Sequence, residues 1–127
     1  MKDVVTAALH VKSNAHAPYS KYKVGAAVET EDGTIVSGCN VESSSYGLTA
    51  CAERVALHSA IAQGYKKFKT LVIATRNGAA PCGACRQIIW ELCGDIPITL
   101  IDENGKQVIM NSSDLLPHPF DNQSLTK

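Results

Sequence analysis

Three cysteines and one glutamate define the chemistry open to this chain. Cys51 and Glu53 stand in Cys-Ala-Glu, and Cys82 and Cys85 in Pro-Cys-Gly-Ala-Cys. Thiolates are soft donors that Zn²⁺ gathers into a tetrahedron, and a catalytic zinc site leaves one of the four positions to water. Three cysteines fill the other three. Glu53 follows Cys51 by two residues, close enough to reach such a water without having to bind the metal. This set suits hydrolysis, with an activated water and a carboxylate to move its protons. Two simpler readings compete: a closed structural zinc site and a Cys-x-x-Cys redox pair. The proline, the paired cysteines and the Cys-x-Glu occurring together favour the catalytic one. Cys39 and Cys93 are expected to be small buried residues, although either would close the site if it served as a fourth ligand.

The elements that must position these residues are read from periodicity and turn chemistry. Helical spacing of Val4, Val5, Ala8, Leu9 and Val11 predicts a helix from Lys2 to about Asn14. Residues 24–30 and 34–40 read as strands around a Glu31-Asp32-Gly33 turn. The Ser-rich stretch 41–50 reads as a loop. A second helix runs from Cys51 to about Gln63, stopped by Gly64. A buried strand follows at 71–75, and a third helix runs from Cys82 to about Cys93. Strands at 98–102 and 107–110 flank Glu103-Asn104-Gly105, and Ser112 or Ser113 caps a short last helix through Leu116. The order αββαβαββα predicts one domain over residues 1–127, an α/β sheet with packed helices. The last connection is too short for a crossover, so the final two strands must be antiparallel.

Composition limits the partners. The 127 residues are 45% hydrophobic and 19% charged, with a formal net charge of zero. A duplex-binding protein carries a basic footprint. The densest cluster here, Lys66, Lys67 and Lys69, reads as a solvated turn, so a small soluble substrate is favoured over nucleic acid. No run approaches the ~20 apolar residues of a membrane span. The first residues lack the apolar core of a secretory signal. A cytoplasmic protein with reduced cysteines is expected.

Whole segments then carry a resemblance. Ala17-Pro-Tyr-Ser-Lys-Tyr-Lys-Val-Gly-Ala-Ala27, Gly38-Cys-Asn-Val-Glu42, Ser45-Tyr46, Cys51-Ala-Glu-Arg-Val-Ala56 and Pro81-Cys-Gly-Ala-Cys-Arg-Gln87 recur in the order found in small homotetrameric, zinc-dependent cytidine deaminases acting on free nucleosides. The similarity spans about Val4 to Phe120. It implies a three-layer fold, with a five-stranded mixed sheet between helices and its last two strands antiparallel. It also implies hydrolysis of cytidine and deoxycytidine to uridine and deoxyuridine, one zinc per chain, and sites shared between subunits.

The same resemblance assigns roles. Cys51, Cys82 and Cys85 become the zinc ligands and Glu53 the proton shuttle of that chemistry. Three thiolates leave zinc net negative, and Arg54, then Arg86, are the cations placed to offset this. Asn40 and Glu42 are expected to hydrogen-bond the sugar, and Ala52 and Ser44 to contact substrate. Tyr22, where the family usually has phenylalanine, presents an aromatic face to the base. Tyr46 and Phe120 are expected to enter a neighbouring subunit's site. The loop 76–81 is shorter than the family's. His58 lies too far along its helix to join the zinc and is expected to be packed. Alternatives are a deaminase of a modified cytosine nucleoside of the blasticidin type, one acting on a base within nucleic acid, and a non-catalytic zinc-stabilised module.

Overall fold

A computed structural model of the chain describes residues 2–121 and Leu125. The expected order of elements is present: α1 (Lys2–Lys12), β1 (Gly25–Thr30), β2 (Ile35–Cys39), a 3₁₀ turn at Tyr46–Leu48, α2 (Ala52–Ala62), β3 (Phe68–Ala74), α3 (Gly83–Cys93), β4 (Pro97–Ile101), β5 (Gln107–Asn111) and α4 (Ser112–Leu115). The five strands form one sheet in the order β2-β1-β3-β4-β5. Only β3 and β4, whose connection contains α3, run parallel. The short β4–β5 turn gives the antiparallel end that its length demanded.

Alternation along the strands builds three layers. Ala26, Val28, Leu71, Ile73, Ile98 and Leu100 face α2 and α3 in the larger core, with Leu57 and Ile89. Ala27, Val72, Ala74 and Ile101 face the other way, against Val4 and Ala8 of α1. Central β3 is therefore buried on both faces and is continuously apolar from Leu71 to Ala74. It begins at Phe68 rather than Leu71, because exposed Lys69 interrupts the run without ending the strand. Gly38 lets α2 approach β2: a Cβ there would lie 2.5 Å from the Ala56 nitrogen. The start of α2, which carries Cys51 and Glu53, is thereby seated on the sheet.

The local departures have physical causes. Helix α1 ends at Lys12, and the Ser13 hydroxyl donates to the His10 carbonyl at 2.8 Å. Asn111 caps α4 in place of Ser112 or Ser113, its backbone N–H donating to the Asp114 carboxylate at 3.0 Å. The two serines tie α4 backwards instead. Ser112 exchanges hydrogen bonds with the Ile96 backbone, and the Ser113 hydroxyl donates to Asp95. The loop 41–50 is closed by paired backbone bonds between Val41 and Ala50. His58 is exposed rather than packed. Trp90 is half-buried, and its indole N–H donates to Asp121. The segment beyond Pro117 lies partly outside the described residues. Among those that are described, no helix is long and apolar enough to cross a membrane.

Candidate active site

Cys51 is the N-cap of α2 and Cys82 the N-cap of α3, both with extended backbone. Cys85 follows in the first turn of α3 and is fully buried. Helix N-termini present unpaired N–H groups and about half a positive charge, which favour thiolates. The three Sγ atoms lie within 4.8 Å of one another, and among the described residues no other group of three cysteine, histidine or acidic side chains does so. Zinc–thiolate bonds of ~2.3 Å in a tetrahedron need sulfurs about 3.8 Å apart, so the cluster can close on one ion. Glu53 is not part of the cluster, and Cys39 and Cys93 lie outside it. Burial pushes the Cys93 thiol up to about 12, which marks it as an unreactive packed residue.

The electrostatics of the cluster call for a cation. Sharing a hydrogen bond with Cys85, then contact with Arg54, pulls the Cys51 thiol down to about 5. The same pairing and burial push the Cys85 thiol up. Three thiolates crowded together repel one another, so a nearby cation favours their ionised form. Arg54 supplies part of that charge. One of its terminal nitrogens, Nη2, donates to the Thr49 carbonyl at 3.0 Å and lies 3.9 Å from Cys51 Sγ. Arg86 is used differently, its hydrogen bonds going to the carbonyls of Pro81 and Leu115. It fastens the residue before Cys82 to α4. Arg54→Gln is expected to lower kcat by roughly tenfold, the scale of a charge-assisted contact, and to speed zinc loss to a chelator. Unchanged turnover together with unchanged chelator resistance would leave Arg54 with no part in the cluster.

Glu53, only 4% exposed, sits at the second position of α2. Burial, reinforced by the negative charge of Cys51, pushes its carboxyl up to about 7. An acid so placed can take and give protons near neutral pH.

A pocket of about 310 Å³ opens beside the cluster, lined by Cys51, Ala52, Glu53 and Cys82 together with Tyr22, Asn40 and Glu42. That volume is in the small-molecule range. Asn40 is buried, its amide oxygen accepting from the Val24 N–H at 2.9 Å and its amide donating to the Tyr22 carbonyl at 2.9 Å. It thus fixes the chain that carries Tyr22. Glu42 accepts the Tyr19 and Ser20 N–H groups at 3.0 and 3.1 Å on Oε1, and the Ser20 hydroxyl on Oε2. The Ser20 hydroxyl first, then its N–H, hold the Glu42 carboxyl below its ordinary range, so it stays ionised. Lys21, between pocket residues Ser20 and Tyr22, turns the chain with φ +61°.

Ser44, Tyr46 and Phe120 do not line this pocket within the one chain. Ser44 is exposed. Tyr46 borders an adjacent recess with Glu42, and the Phe120 carbonyl accepts from Gln87. The sequence reading missed Ser20, Thr49 and Thr75, all of which line the pocket. Ser20 lay within a segment already singled out. Thr49 accepts from Arg54 on its carbonyl and from the Ser43 N–H on its hydroxyl oxygen.

Known proteins resemble this chain over most of its length. The family described as "Cytidine and deoxycytidylate deaminase zinc-binding region" matches residues 1–98. A cytidine deaminase of Sporosarcina psychrophila is 43% identical over 118 residues, covering 91% of this chain and 87% of that protein. A blasticidin-S deaminase of Bacillus cereus is 36% identical over 109 residues, covering 77% and 76%. The crystal structure of a cytidine deaminase from Burkholderia pseudomallei superposes with a TM-score of 0.89 at 43% identity, covering 94% of this chain and 98% of that one. The two zinc-facing helix starts and the fold that brings them together therefore have a common origin with those proteins, and this chain belongs to the zinc-binding cytidine and deoxycytidylate deaminase family.

Proposed function

We propose that this chain hydrolyses cytidine and 2′-deoxycytidine to uridine and 2′-deoxyuridine with release of ammonia, holding one zinc through Cys51, Cys82 and Cys85. The observation that carries this reading is one pocket lined by Glu53, Cys51 and Cys82 and also by an ionised Glu42. Zinc held there would supply Lewis-acid activation of a water for attack on the ring carbon C4. Glu53 takes a proton from that water and passes it to the ring nitrogen beside C4. It then takes the second proton, from the hydroxyl now on C4, and delivers it to the amino nitrogen as the C4–N bond breaks, C4=O forms and ammonia leaves. Burial of Glu53 keeps those protons from exchanging with bulk water. Tyr22 offers its ring to the base, and Ala52 borders the space beside Glu53.

Glu42 selects for a sugar. A carboxylate has about four acceptor positions, and three are taken by Tyr19 and Ser20. The remaining one suits a ribose hydroxyl, and leaving it unpaired under a bound ligand would cost affinity. Ultraviolet absorbance with cytidine, deoxycytidine, free cytosine and blasticidin S tests the substrate. Both nucleosides are expected to be turned over and free cytosine scarcely at all, because contacts to the sugar contribute to transition-state binding. Glu42→Gln is expected to impair nucleosides by about tenfold or more with zinc content unchanged. Efficient deamination of free cytosine, or of blasticidin S in preference to cytidine, would overturn the assignment.

The working form is proposed to be a homotetramer in the cytoplasm, where cysteines remain reduced for zinc. Its support is the exposure of Tyr46 at 77%, Leu48 at 75% and Phe120 at 61%, three large apolar side chains around the site's surroundings. In a closed dimer of dimers, Tyr46 and Phe120 would complete a pocket belonging to another chain, with Ser44 beside it. Light scattering should give four times the chain mass, and truncation before Phe120 should raise KM with zinc retained. A fully active monomer would refute the shared site.

A further inference from the structure

The Tyr22 hydroxyl has a partner across 55 positions of sequence. Tyr22 Oη donates to Asn77 Oδ1 at 2.6 Å. The Arg76 guanidinium stands over the same ring, 5.2 Å from its centroid. Asn77 Oδ1 also accepts from the Thr75 hydroxyl, whose oxygen takes the N–H groups of Gly78 at 2.7 Å and Ala79 at 3.2 Å. Ala79, Ala80 and Pro81 form the pocket wall leading into Cys82, while Tyr22 lines the pocket on a separate segment with Ser20 and Val24. Among the described residues, the Tyr22–Asn77 bond is the one hydrogen bond joining the 20–24 wall to the 75–82 wall. The outer side of the loop is separately pinned, since the Arg76 carbonyl accepts from the Glu103 N–H at 3.3 Å. A loop held on its outer side and tied at Asn77 keeps the two walls at one spacing.

We propose that Tyr22 and Asn77 form a clasp that fixes the pocket's width, with Asn77 a positioning residue that acts on substrate through Tyr22 and the loop. The clasp rests on the nucleoside reading of this pocket for its kinetic effect, but not for its mechanical one. Cutting it leaves the thiolate cluster and Glu53 in place and loosens the walls that hold the ligand. It should therefore weaken ground-state and transition-state binding alike, which raises KM and spares kcat.

Kinetics with cytidine on zinc-loaded protein test this. Asn77→Ala is expected to raise KM about 3- to 10-fold, the scale of one hydrogen bond, with kcat unchanged. Tyr22→Phe should raise KM by a similar factor. The double variant should be no worse than either single one, since both changes cut one link. Asn77→Asp keeps an acceptor for the Tyr22 hydroxyl and should restore a near-wild-type KM. Amide exchange at Gly78 and Ala79, which needs no substrate, should be faster in Asn77→Ala and Tyr22→Phe and near normal in Asn77→Asp. Unaltered exchange in Asn77→Ala and Tyr22→Phe would overturn the clasp whatever the substrate is. So would multiplicative KM losses in the double variant, or a KM rise that Asn77→Asp does not reverse. A wild type inactive on cytidine but showing the expected exchange pattern would instead overturn the nucleoside reading alone.

Discussion

Glu53→Gln is expected to keep zinc and fold while losing nearly all turnover. A positioned general acid or base contributes ~10²–10⁴-fold, and here one carboxylate serves the water, the ring nitrogen and the departing amine in turn. The loss should therefore lie at or beyond the upper end of that range. The amide has nearly the same shape and can still hydrogen-bond, so zinc content by metal analysis should match wild type. Stability should not fall. Burial penalises the charged carboxylate, as the upward displacement of its pKa to about 7 records. Replacing a buried acid of that kind with a neutral amide removes the penalty above that pH, where the wild-type group must ionise in a dry site. The thermal midpoint of Glu53→Gln at pH 8 is thus expected to equal or exceed wild type. A variant retaining a tenth of the activity would move the proton shuttle to another residue. A variant that lost zinc would mean that Glu53 touches the metal.

Replacing Cys51, Cys82 or Cys85 with alanine should abolish activity by a different route. Two thiolates cannot hold an open zinc site firmly, and the free energy of metal binding is also folding free energy. Each variant is therefore expected to purify with substoichiometric zinc and to unfold at a lower temperature. The three need not be equal. Cys85 is fully buried, so its loss also leaves a small void behind the cluster, whereas Cys82 is exposed at the pocket wall. The drop in thermal midpoint should be larger for Cys85→Ala than for Cys82→Ala. Full zinc occupancy in any of the three would remove that cysteine from the ligand set. Chelator treatment of the wild type should reproduce the low stability of the variants, and added zinc should reverse it.

The sequence by itself determined the ligands and the frame. Cysteine is chosen for its sulfur, so Cys51, Cys82 and Cys85 point to a metal once Pro81 and Glu53 are read beside them. Apolar residues repeating at period two in the strands and near 3.6 in the helices likewise announce the layers. The short β4–β5 turn even determined strand direction, because two strands joined so closely have no length for a crossover. What only tertiary structure decided were the contacts between segments distant in sequence. Arg54 and Arg86 each follow a ligand cysteine by one to three residues, yet packing aims one at Cys51 Sγ and the other at the Pro81 and Leu115 carbonyls. His58, on the same helix as Glu53, ends exposed because its helical face points away from the sheet. The Glu42 carboxylate is held ionised by Tyr19 and Ser20, more than twenty residues away. The Tyr22 hydroxyl finds Asn77 across 55 positions. Side-chain type and local spacing are properties of a segment and can be read from it. The direction of a side chain, and the carbonyl or amide that receives it, depend on how the sheet and helices close, which no single segment contains.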